Sequence, residues 1–224
     1  MATIAPSRMN RLPAAERGIT IGDFLVPIRV GERLSSRARH LVLVVAGALL
    51  IYLTAQISIA LPDNPVPITG QTFGVLLVGG ALGFRRGFLA TLLYIAIGVI
   101  GFPAFAEHRG GLGVIASFAD GHLVLGARGG YLIGFMGAAA LVGRLAELGW
   151  DRRPLGAIAA MLAGNALIYV VGLPWLAAAT GFSAGDTIAK GLAPFLLGDA
   201  LKLALAGAMF PFAWWVVGRR PGER

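Results

Sequence analysis

From Leu41 to Leu61 the chain runs for 21 residues without a charged side chain. As an α-helix this run would be about 30 Å long, the hydrocarbon thickness of a bilayer. It constrains the fold more than any other feature, because backbone N–H and C=O groups placed in lipid must be satisfied inside helices or a closed barrel. Composition agrees with the helical choice. Hydrophobic residues make up 57% of the 224 and charged residues 13%, with a mean hydropathy of +0.77, whereas soluble chains carry about 25% charged residues. With 33 glycines and only Lys190 and Lys202 as lysines, the disordered, coiled-coil and nucleic-acid-binding classes are excluded. Cysteine is absent, which removes disulfides, Cys-type zinc sites and thiol nucleophiles. The three histidines, His40, His108 and His122, lack ligand spacing, so neither a metal nor a cofactor is expected.

The pattern predicts six spans in an all-α membrane bundle. After Leu41 to Leu61 come Gln71 to Phe84, stopped by Arg85-Arg86, and Gly87 to Gly101, closed by Pro103. Then follow Gly129 to Leu148, Leu155 to Ala178, and a long Ile188 to Val217 with Pro194 and Pro211 inside it. Pro62, Pro65 and Pro67 hold the first connection extended, and a glycine-rich connection fills 102–128. Connections of that length commonly act as lids or gates. The series Gly79, Gly83, Gly87 and Gly126, Gly130, Gly134 have the small-xxx-small spacing that lets helix backbones approach closely, and bundle packing accounts for them.

Residues 1–39 form a basic arm with seven arginines, Arg8, Arg11, Arg17, Arg29, Arg33, Arg37 and Arg39, against Glu16, Asp23 and Glu32. The arm has no signal-peptide-like apolar core. It reads as a solvated tail, with Ile19 to Val30 able to lie as an interfacial helix on anionic lipid. Residues 40–218 are the membrane domain and 219–224 a short basic tail. Sorting Lys and Arg by side gives fifteen on the side of the arm and three (Arg109, Arg128, Lys190) on the other, with Lys202 at membrane depth. Both termini are therefore expected in the cytoplasm.

A charge at a helix centre costs about 2.5–3.5 kcal/mol to insert, so the few polar residues at membrane depth are informative. Asp199 and Lys202 stand three apart, on one helix face that continues through Phe195, Ala206 and Met209. They form either a structural ion pair or a ligand-binding pair, and the second is favoured because Asn165 and Tyr169, one turn apart, add an amide and an aromatic rather than more charge. Such a set suits a small molecule of urea-like polarity. Gln56, Gln71 and Thr72 are further polar residues near helix ends, the last two suited to capping or anchoring. Arg109 and Arg128 lie in or beside the glycine-rich connection, where either could meet an anionic ligand, although a solvated loop arginine is the default. Asp186, after Ser183, reads as the N-cap of the last span. Enzyme motifs are missing: Leu196 breaks the Gly-x-Gly-Asp of intramembrane aspartyl proteases at Gly198-Asp199, and there is no His-Glu-x-x-His, Gly-x-Ser-x-Gly or phosphate-binding Gly-Lys-Ser/Thr loop. Any ATP-driven accumulation would need another subunit.

Several blocks resemble, in order, the signature of the BioY biotin transporters. These are Pro65-Val66-Pro67-Ile68-Thr69-Gly70-Gln71-Thr72-Phe73-Gly74, Leu82-Gly83-Phe84-Arg85-Arg86-Gly87, Gly98-Val99-Ile100-Gly101-Phe102-Pro103, Gly110-Gly111-Leu112-Gly113 and Gly129-Gly130-Tyr131-Leu132-Ile133-Gly134-Phe135. Gly164-Asn165-Ala166-Leu167-Ile168-Tyr169, Gly172-Leu173-Pro174-Trp175-Leu176 and Pro194-Phe195-Leu196-Leu197-Gly198-Asp199-Ala200-Leu201-Lys202 complete the series. The resemblance implies six membrane helices and a substrate-capture (S) component of an energy-coupling factor transporter in the cytoplasmic membrane. It would bind biotin from the external side and work with a transmembrane coupling protein and an ABC-type ATPase pair. Asp199 and Lys202 carry over as binding residues, with Asn165 beside them; Tyr169, Arg109 and Gln71 complete the candidate set. His108-Arg109 stands where many relatives have a small or amide residue, and Ala46-Gly47-Ala48 replaces a strict Ala-x-x-x-Ala face. An S component for another water-soluble vitamin, a membrane enzyme and a structural membrane subunit are the alternatives, and a homo-oligomer is compatible with all of them.

Overall fold

The computed structural model describes residues 19–25, 35–119 and 121–217. Most of the arginine-rich arm, residues 26–30 of the interfacial-helix expectation and the basic tail lie outside the described residues. The helices are α1 (Gly22–Leu25), α2 (Ser36–Gln56), α3 (Gln71–Leu82), α4 (Phe84–Val99), α5 (Gly129–Glu147), α6 (Pro154–Thr180), α7 (Ala184–Gly191) and α8 (Leu196–Val217). Among the described residues four stretches are long and apolar enough to cross a bilayer: α2, α5, α6 and the Ala184–Val217 stretch that contains α7 and α8. The chain is thus a mostly helical, multi-pass membrane protein. The expected second and third spans are the short pair α3 and α4, with 12 and 16 residues.

Local chemistry sets where these helices begin and end. Ser35 caps α2 by accepting a bond from the Ala38 N–H. The helix stops at Gln56, five residues before the end of the uncharged run, because the chain turns extended at β1 (Ser58–Ile59) and pairs antiparallel with β2 (Ile68–Thr69). Between α3 and α4 the chain reverses through the single residue Gly83, at φ 83° and ψ 179°. Only glycine occupies that region without strain, so the Arg85-Arg86 pair begins α4 rather than ending α3. The predicted last span is broken: residues 192–195 interrupt it, and Pro194, which has no N–H to give, sits inside the break. The N-cap of α7 is Ser183, not Asp186. Asp186 lies in the first turn, donates its backbone N–H to Ser183 Oγ at 3.1 Å and accepts the Ser183 hydroxyl at 2.6 Å.

Alanines and glycines fill many of the helix contacts, beside large buried side chains such as Tyr94, Phe105 and Met161, while many other large apolar residues face outward. Ala90, Ala138, Ala139, Ala157, Ala160 and Ala206 are almost wholly buried, whereas Leu41, Leu53, Leu155, Val170, Leu197 and Phe212 are exposed. This suits a lipid solvent, in which helices gain by close backbone contact and leucine gains nothing by hiding. Glycines make the closest approaches: a Cβ at Gly87 would lie 2.8 Å from the Gly79 Cα, and one at Gly134 would lie 3.0 Å from the Ile168 Cα.

At one end of the bundle Thr20 and Ile21 are buried rather than solvated. Asp23 anchors them, accepting from the Thr20 N–H at 3.0 Å and pairing with Arg86 at 2.6 Å. At the other end the connections 57–70 and 100–128 lie together, the second carrying a hairpin of β3 (Ala116–Ala119) and β4 (His122–Leu125).

Candidate functional site

The pocket lies at the end that carries these two connections. It encloses about 580 Å³ outside protein atoms, its mouth included. Its walls are mostly apolar and aromatic, with Phe105, Tyr131, Phe135, Ile168 and Phe195 among them, and its polar groups are few: Thr69, Gln71, Thr72, Arg128, Tyr169 and Lys202. That balance is typical of small-molecule sites.

The polar side is built from α3, α6 and α8. Lys202 Nζ donates to Thr72 Oγ1 at 2.7 Å and to Asp199 Oδ1 at 3.2 Å. Tyr169 donates its hydroxyl to Asp199 Oδ2 at 2.5 Å. The Asp199 side chain is 7% exposed and that of Lys202 17%, and Lys202 lines the pocket while Asp199 stands behind it. An ammonium has three N–H donors, so one remains for the cavity. The charge is thus presented toward the pocket and neutralised from the rear, which keeps both ions tolerable at this depth.

Gln71 and Tyr169 also line the pocket. Gln71 Nε2 donates to the Tyr94 hydroxyl at 2.7 Å, and Tyr94 donates its own O–H to Ala104 O at 3.1 Å. Gln56 Nε2 reaches that carbonyl too, at 3.1 Å, so both residues anchor the 100–128 connection. Asn165 is 4% exposed, yet among the described residues its side chain has no hydrogen-bond partner. Its unpaired amide atoms are not fully enclosed, and Asn165 is not among the residues that line the pocket. Arg109 is not brought to the pocket: its side chain is 61% exposed and pairs with Glu107 at 3.3 Å.

Arg128, expected as a solvated loop residue, lines the pocket instead. The signal available was its place directly before Gly129-Gly130-Tyr131, at the start of a helix. Tyr131 is the other residue sequence reasoning passed over; its hydroxyl donates to Gly191 O at 2.9 Å and its ring meets Tyr169 edge-on at 6.5 Å. Glu107, outside the spans, has its carboxyl held below the usual range by the hydrogen bond from Arg128, against a smaller opposing effect of burial. Among the described residues no group of three His, Asp or Glu gathers to hold a metal ion.

A sequence profile of the BioY family matches residues 29–219. The chain belongs to the BioY family. A BioY relative from Pyrococcus horikoshii, named as a probable biotin transporter, is 36% identical over 171 residues, covering 76% of this chain and 93% of its own. The BioY protein of Rhodobacter capsulatus, named as a biotin transporter, is 35% identical over 176 residues, covering 70% and 87%. A crystal structure described as the S-component for biotin from an ECF-type ABC transporter superposes with a TM-score of 0.70 at 22% identity, over 85% of this chain and 97% of that one. That likeness is one of fold, and it extends over nearly the whole BioY domain.

Proposed function

We propose that the chain takes up biotin across the cytoplasmic membrane as the S component of an energy-coupling factor transporter. It is a transporter subunit and not an enzyme. The observation that carries this reading is the Tyr169–Asp199–Lys202–Thr72 network at the wall of an otherwise apolar pocket, in a chain of the BioY family. Biotin has two ureido N–H donors and one carbonyl in an apolar bicycle, plus a carboxylate tail. Such a head enters a dry pocket only if each polar group is met there. Lys202 supplies a donor to a ligand oxygen, Asp199 orients Lys202 and Tyr169 from behind, and Asn165 and Gln71 supply unspent amide capacity. Arg109 stays at the rim.

In this reading the membrane domain is 40–218, with the short α3 and α4 counted among six spans, and both termini are cytoplasmic by the distribution of Lys and Arg. The pocket then opens outward, and the connections 61–70 and 102–128 close over the ligand. With no nucleotide-binding motif in the chain, energy comes from a coupling protein and an ABC-type ATPase pair. Titration calorimetry on the detergent-solubilised protein tests the reading. Biotin binds and thiamin and riboflavin do not; a protein that binds one of those in place of biotin, or binds no vitamin, would overturn it.

A further inference from the structure

Arg128 joins two segments that are far apart in sequence. Its Nε donates to Pro65 O at 3.0 Å, its Nη1 to Ala106 O at 3.4 Å and its Nη2 to Glu107 Oε2 at 2.6 Å. Pro65 belongs to the connection between α2 and α3, and Ala106 and Glu107 to the one between α4 and α5. Beside these contacts Val66, Pro67, Phe105 and Ala106 form part of the pocket wall. The guanidinium is therefore the group through which the two halves of the pocket's cover hold each other.

Backbone conformation adds an independent observation. Among the described residues the non-glycine positions with positive φ are Asp63 at 55°, Glu107 at 61° and His108 at 56°. All three lie in these two connections, and two of them flank the Arg128 contacts. Side chains other than glycine are strained in the left-handed region, and such strain persists only where surrounding contacts hold it. Glu107 and His108 lie in a turn closed by the Phe105 N–H bond to Arg109 O at 2.8 Å, and the Arg128–Glu107 pair fastens that turn to the start of α5.

We infer that Arg128 is a positioning residue for ligand capture: its guanidinium clamps the 61–70 and 102–128 connections together over the pocket, and ligand exchange proceeds through release of that clamp. The inference rests on the pocket's proposed role as the biotin site. A planar fork suits the task because its donors point in fixed, different directions, which an ammonium cannot reproduce.

The test is hydrogen exchange followed by mass spectrometry on the purified protein without ligand, together with biotin release rates. In Arg128→Gln, amides of both connections exchange faster together, by roughly tenfold or more, as expected for losing a charge-assisted contact. Biotin release accelerates by a similar factor. Glu107→Gln moves both readouts in the same direction without altering the start of α5, and Arg128→Lys falls between parent and Arg128→Gln. Faster exchange in one connection only, an unchanged release rate, or a rise spread over all the helices would overturn the inference, the last by marking a merely structural role. Coupled exchange in a parent protein that binds no biotin would instead sink the ligand reading and leave the clamp standing.

Discussion

Tyr169 donates its phenolic O–H to Asp199 Oδ2 at 2.5 Å, which ties α6 to α8 at the wall of the pocket. Asp199 therefore holds two pocket residues at once, Tyr169 through one oxygen and Lys202 through the other. Replacing it by asparagine leaves the Lys202 charge without its counter-ion. Asp199→Asn and Lys202→Met are each expected to weaken biotin binding by about 1–3 kcal/mol or more, while inserting normally. A double apolar replacement separates binding from scaffolding: if it binds biotin like the parent in calorimetry, the pair is structural and its assignment to the ligand fails.

Asn165 supplies the opposite signature. Without a protein partner among the described residues, its amide adds no hydrogen bond to the empty fold and keeps its full capacity for a ligand. Asn165→Leu should leave the thermal midpoint of the ligand-free protein unchanged or raise it, and weaken biotin about tenfold or more. A lowered midpoint with unaltered affinity would assign Asn165 to helix packing.

Asp151, in the turn between α5 and α6, is almost fully buried; Trp214 Nε1 donates to its Oδ2 at 2.7 Å, while its Oδ1 has no partner. Burial pushes its carboxyl up to about 7, against the opposing pull of the Trp214 bond and Arg152. The folded state then holds this proton more tightly than the unfolded chain does. Stability is greatest below the ordinary carboxylate range and falls as pH rises toward about 7. Thermal unfolding in detergent should show a midpoint that drops as pH rises from the ordinary carboxylate range to about 7 and levels off above it, and Asp151→Asn, which keeps the bond from Trp214, should flatten that dependence. An unchanged slope in the variant would assign it to other groups.

Energy coupling gives a test at the level of the assembly. Liposomes holding this chain alone should not concentrate biotin when ATP is added inside, whereas co-reconstitution with a coupling protein and its ATPases should permit it. Accumulation by the chain alone would contradict its role as a capture subunit.

Four long apolar stretches and the contact between Asp199 and Lys202 were legible in the sequence for the same reason: both are large departures from the background of an apolar chain. Leu41 to Leu61 announced a membrane helix, and Asp199 and Lys202 announced themselves as ions at a depth where ions are rare. What could not be read depended on distant partners. Gln56 ends α2 early while bonding Ala104, 48 residues away, and Arg128 is a pocket residue only because Pro65, Ala106 and Glu107 converge on it. The same holds for the break at 192–195. Pro194 marked a weak point, but whether a helix bends or parts there depends on what receives the freed backbone groups.

That break also changes how two positions can vary. In an uninterrupted helix the carbonyl of Lys190 would accept the N–H of residue 194, which proline lacks. Asn64, 126 residues earlier, supplies the missing donor, its Nδ2 lying 2.8 Å from Lys190 O, and its Oδ1 accepts the Val66 N–H at 3.0 Å. An asparagine in one connection and an imino acid in a distant helix are thus halves of a single trait. Losing Asn64 is harmful while Pro194 remains, and restoring an ordinary residue at 194 makes the Asn64 bond redundant. Selection would see the two sites jointly, as an epistatic pair, and their substitutions should travel together.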